Sequence, residues 1–156
     1  MENSKQLSNR FTEVMLNGKW IANTNYHDQL SNLNFQQATK RLDSLNTIAI
    51  LSQHVNYYIS GLLDVFKGRP LLIRDADSFD FPKVNSEKEW ENCIAELLNN
   101  SKEFAKYIEA MTEAELDAIF VKEEYGTFRR NIEGVIEHCY YHLGQISLIK
   151  KMILNH

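Results

Sequence analysis

Proline is almost missing from this chain: Pro70 and Pro82 are the two it has, and both fall in "KGRPLLIRDADSFDFPKVNS". An interior proline removes a backbone donor and breaks a helix, so the rest of the chain is free to form long ones. Cysteine is equally scarce. Cys93 and Cys139 have no framework-like spacing, which excludes a disulfide scaffold and predicts free thiols in a reducing, cytoplasmic setting. No apolar run approaches the length of about 18 residues that a membrane span needs. The opening "MENSKQLSNRF" lacks the apolar stretch of a secretory signal. The net charge of −4, with Lys and Arg scattered apart from short pairs such as Arg129–Arg130, leaves no basic footprint. Nucleic acid is therefore not an expected partner. There is no internal repeat.

What the chain does have is helical periodicity. Its 156 residues, 44% hydrophobic, suffice for one domain spanning residues 1–156 with a real core. Residues 4–16 place Leu7, Phe11, Val14 and Met15 on one face, and Asn17-Gly18 supplies a stop. Asn46 is the expected N-cap of a second helix, with Ile48, Leu51, Val55, Tyr58, Leu62 and Phe66 as its stripe. "SEKE" from Ser86 reads as a capping box opening a third helix, striped by Trp90, Ile94, Leu97, Leu98, Phe104 and Ile108. "TEAE" from Thr112 opens a short one ending near Phe120. The fourth long helix covers residues 128–154, with Ile132, Val135, Ile136, Leu143, Ile146 and Ile149 inward. Strand signals are confined to "GKWIA" and "PLLIR". The expected fold is all-α, a four-helix bundle with a long crossover connection.

Five histidines carry the chemical question. His138 and His142, in "IEHCYYHLGQISLIKK", are four residues apart, so on a helix they project side by side. That geometry suits two ligands of one metal ion, and equally two surface histidines. The metalloprotease pattern H-E-x-x-H is excluded, because Cys139 stands where its glutamate would be. His54 adds weight. It interrupts the apolar stripe of the second helix, where an imidazole is costly unless hydrogen-bonded or ligated. Both helices carry their histidines near mid-length, so packing them together brings three imidazoles to one depth. Three histidines with an open further position form a catalytic rather than a closed structural metal site. The bland alternative is three core histidines that hydrogen-bond one another.

A histidine in "LNTIAILSQHVNYYISGLL" followed by "YGTFRRNIEGVIEHCYYHLGQISLIKKMI" resembles the DinB-like family of metalloenzymes, the DinB/YfiT type. The resemblance covers nearly the whole chain. It implies a four-helix bundle with a crossed connection, often a homodimer, with a divalent metal ion held by His54, His138 and His142. Relatives in that family use low-molecular-weight thiols such as bacillithiol or mycothiol. The resemblance therefore implies transfer of a thiol to an electrophilic small-molecule substrate, with zinc or nickel activating the sulfur. A metal-dependent hydrolase is the competing chemistry. A non-catalytic metal- or ligand-binding bundle, such as a stress-response module, is the competing class.

Other residues are weighed against these. Tyr58, one turn after His54, is a pocket candidate or a bundle tyrosine with its hydroxyl at the rim. Gln145, three residues after His142, is a candidate to fix an imidazole by hydrogen bonding. His27 and His156 read as solvated surface, and Cys139 and Cys93 as packing. Gly61, Gly134 and Gly144 each weaken a helix, and close helix approach is the expected reason. The connections "GKWIANTN" and "RDADSFDFP" are expected either to roof a metal cavity or to cover the bundle end. No carboxylate is assignable as a base.

Overall fold

A computed structural model describes residues 1–155; His156 lies outside the described residues. Among the described residues seven α-helices follow one another: α1 (Ser4–Thr12), α2 (Tyr26–Leu30), α3 (Phe35–Ala38), α4 (Ile48–Phe66), α5 (Glu87–Ala110), α6 (Glu113–Asp117) and α7 (Phe128–Leu154). A π-turn, Glu13–Asn17, prolongs α1 to the predicted stop at Gly18. The described residues contain no strand, only an isolated antiparallel bridge between Ile119 and Thr127. "PLLIR" is extended connection. "GKWIA" is a turn in which Ile21 has φ +72° and Asn23 +56°, values no strand can hold.

The four long helices form the expected bundle. α5 packs against both α1 and α4, and α4 packs against α7. The long crossover between α1 and α4 carries α2 and α3, which the sequence pattern does not reveal because neither exceeds 5 residues. Hydrophobic burial fixes the arrangement. Phe104 of α5 lies between Phe11 of α1 (centroids 4.8 Å) and Phe66 of α4 (4.9 Å, 16° from parallel). Trp90 is fully buried, and its indole N–H donates to the Leu33 carbonyl at 2.8 Å, tying α5 to the crossover. The Tyr26 hydroxyl donates to the Cys139 carbonyl at 2.7 Å, tying the crossover to α7.

Caps fall close to the expected positions. Thr47, not Asn46, caps α4: its Oγ1 accepts the Ile50 N–H at 3.1 Å. Ser86 caps α5 as expected, but Glu89 reaches back to the Asn85 N–H (2.6 Å) rather than to that of Ser86. Thr112 and Glu115 make the full reciprocal box. Gly61 is a close approach: a Cβ there would sit 2.6 Å from the Ile73 side chain of the α4–α5 connection. At Gly134 and Gly144 a Cβ would meet nothing within 4 Å, so close approach within this chain does not explain them.

Candidate metal centre

α4 and α7 pack so that the middle of one faces the middle of the other, and the three histidines meet there. His54 and His142 are buried and His138 is half-buried. His54 lies on the inward stripe of α4; His138 and His142 share one face of α7, with rings 4.4 Å apart. The Nε2 atoms of His54 and His142 each lie 3.0 Å from His138 Nε2. One nitrogen from each ring falls within 4.8 Å of the others.

Hydrogen bonds on the far sides of the rings fix the chemistry of this cluster. His54 Nδ1 lies 2.6 Å from the Ser78 carbonyl oxygen, which only accepts, so Nδ1 carries the proton. His142 Nδ1 in the same way donates to Gln145 Oε1 at 2.6 Å. Both Nε2 atoms are therefore bare in the neutral imidazoles and turn their lone pairs on His138 Nε2. A single proton on His138 satisfies one of them and leaves the other facing a nitrogen. Protonating a second ring is disfavoured: burial pushes all three imidazoles below their ordinary range, and His138, beside His142 and His54, is held down at about 4. Three converging neutral imidazoles, two of them (His54 and His142) held from behind by hydrogen bonds, are the donor set of a divalent cation. Nitrogens bonded at ~2.0–2.1 Å to one ion lie about 2.8–3.4 Å apart for angles from a right angle to tetrahedral. The observed 3.0 Å separations fall in that range. The residues fit a metal ion.

Aromatic rings enclose the cluster. Phe79 stacks on His54 with centroids 3.9 Å apart and planes 7° from parallel. Tyr58 meets His54 and His138 edge-on at 5.2 and 5.0 Å. Its hydroxyl donates to Asp75 Oδ1 at 2.6 Å, and burial and that bond raise its pKa. The "RDADSFDFP" connection thus covers the site, supplying Asp75, the Ser78 carbonyl and Phe79. "GKWIANTN" does not: Ala22 and Thr24 lie along a different face of α7, beside Tyr140 and Leu143. His27 is exposed, and Cys139 is fully buried with its thiol pushed far up by desolvation, a packing residue as expected. On its His138 side the cluster opens into a cleft of about 390 Å³ walled by Tyr58, Leu62, Tyr125, Arg130 and Asn131.

An all-helical bundle whose two central helices present three histidines to one point is the class of protein described. The model of the DinB superfamily matches residues 22–146, and the chain belongs to that family. No curated protein and no solved structure matches it significantly. Among the described residues, no helix is long and apolar enough to cross a membrane.

Ser78, Phe79 and Asp75 were not singled out as individual site residues from sequence. Their one signal is the placement of "RDADSFDFP" between two long helices. A backbone acceptor leaves no trace in residue type.

Proposed function

We propose that the protein is a metal-dependent enzyme whose divalent ion is held by Nε2 of His54, His138 and His142. The observation that carries this reading is the pair of fixed tautomers: Ser78 and Gln145 leave two bare nitrogens aimed at the third imidazole. The donors are neutral, so the centre stays cationic, which suits zinc or nickel. Bound there, such an ion supplies Lewis acidity, holding a thiol as its thiolate or lowering the pKa of a water to about 7. The chain's own residues do the rest. The cleft beside His138 gives a small molecule access, Tyr58 and Leu62 form an apolar wall, and Phe79 shields the His54 ring from solvent.

The reaction supported best is transfer of a low-molecular-weight thiol to an electrophile, since thiolate attack needs no base from the protein. Metal-assisted hydrolysis has one observation in its favour. Asp75 stands beside the centre, but its carboxylate is engaged by the Tyr58 hydroxyl. A homodimer in the cytoplasm completes the proposal. The experiment is elemental analysis of protein purified without added metal, followed by assay of the loaded protein with bacillithiol and an electrophile such as monobromobimane. One zinc or nickel per chain and a metal-dependent rate support the reading. Failure to bind either metal overturns it, and metal without thiol transfer leaves the non-catalytic metal-binding bundle or the hydrolase.

A further inference from the structure

A second cavity, of about 360 Å³, lies between the start of α4 and the α4–α5 connection, and Phe79, whose ring stacks on His54, is part of its wall. Its apolar surface comes from Phe79, Phe81, Pro82 and Ile50. Its rim carries Arg41 and Lys83, and no carboxylate contributes to its wall. Neither cation makes an ion pair among the described residues, and Arg41 is in this unlike the other five arginines, each of which does. The first turn of α4, through Thr47 and Ala49, also borders the cavity and adds the positive end of a 19-residue helix. Phe79 remains 46% exposed despite its stack on His54, so its outer face is available to a ligand.

We propose that this cavity is a second small-molecule site, for an anion with a flat apolar body such as an aromatic carboxylate. The two unpaired cations take the charge, and the rings of Phe79 and Phe81 take the body. The volume is that of a small-ligand pocket. The proposal stands on this cavity alone and needs no metal, so its test is made on the metal-free chain and fails or succeeds independently of the metal reading. A bound ring would touch Phe79, whose own ring stacks on His54. The site therefore adjoins the metal centre without sharing a residue with the cleft beside His138.

The test titrates 2-naphthoate into the EDTA-treated full chain, followed by calorimetry and amide chemical shifts. Saturable binding is expected, with the largest shifts at Ile50, Gln53 and Phe79 to Asn85. The R41A/K83A double variant, altered at two exposed positions, should bind about tenfold more weakly, the combined effect of two partly screened charges. The uncharged 2-naphthylmethanol should lose a similar factor against the unaltered chain. Circular dichroism of the double variant checks that the bundle is intact. Absence of saturation, undiminished binding by an intact double variant, equal binding of the alcohol, or shifts centred on the His138 cleft would each overturn the proposal.

Discussion

His142 donates through Nδ1 to the side-chain oxygen of Gln145, three residues along the same helix, at 2.6 Å. The bond closes one turn of α7 and decides which nitrogen of His142 faces the other two histidines. Replacing Gln145 by leucine keeps the volume and removes the acceptor. Metal affinity should fall about 10- to 100-fold, the usual effect of losing the partner that orients a metal-bound imidazole. Competition with a chromogenic chelator measures it. An unchanged affinity in a folded Q145L protein would mean that the bond does not orient the ring.

The ligands themselves give a sharper result. His138→Ala removes the imidazole that both other Nε2 atoms face, so stoichiometric zinc or nickel should be lost, and His54→Ala and His142→Ala should behave alike. The helical circular dichroism signal should persist, because each histidine contributes little to the core formed by Phe104, Trp90 and their neighbours. Metal retained at one per chain in all three variants would remove the assignment.

Most of the bundle was legible in the sequence because its information is periodic and local. Leu7 and Phe11, Leu51 and Val55, Leu97 and Phe104, and Ile132 and Ile136 announce their faces by spacing, and each is buried. His54 was legible for the same reason, as a polar interruption of an apolar stripe, and Gln145 by its i+3 relation to His142. Other features lacked such a signal. Asn46 and Thr47 are both capping residues, and which one caps depends on the path by which the crossover enters α4. The partner of His54 is the Ser78 carbonyl, a group every residue possesses. The stacked Phe79 reaches the site from a connection with no period at all. α2 and α3 are short turns of helix, α2 held by buried Tyr26 and Leu30 and α3 by buried Ala38, so tertiary contact rather than pattern creates them.

Acid should destabilise the metal-free protein. Burial first, and for His138 its two neighbours as well, lower the three imidazole pKa values from the ordinary 6.5, His138 to about 4. Between those values the unfolded chain binds more protons than the folded one, so stability rises with pH from about 4 to 6.5 and then levels. For half-buried His138 the contribution is about 1–2 kcal/mol after allowance for solvent screening. Urea melts of the EDTA-treated protein from pH 4 to 8 measure the slope, with His138→Ala as the control for all carboxylates. A slope in that variant as steep as in the unaltered protein would contradict this origin.

The aromatic stack that joins α1, α4 and α5 should carry a large share of stability. Phe104 is fully buried between Phe11 and Phe66. Phe104→Ala removes a ring from a close-packed site and should cost about 3–5 kcal/mol, seen as a lower urea midpoint. The metal site, on the α4–α7 side, should keep its affinity in the fraction that remains folded.

Three glycines separate two physical reasons for the same residue. At Gly134 and Gly144 added methyl groups meet open space, so alanine should stabilise α7 by about 0.5–1 kcal/mol each through helix propensity. At Gly61 the same methyl would lie 2.6 Å from Ile73, in the connection that continues to Asp75, Ser78 and Phe79. Overpacking there should cost about 1–3 kcal/mol and displace the Ser78 carbonyl from His54 Nδ1. Gly61→Ala should therefore weaken metal binding as well as lower stability, while Gly134→Ala and Gly144→Ala should leave metal affinity alone. Truncating the obstacle supplies the control: Ile73→Ala in the Gly61→Ala background makes room for the methyl and should restore part of the metal affinity. If the double variant binds metal no better than Gly61→Ala alone, the path from Gly61 through Ile73 to His54 is not the one that matters.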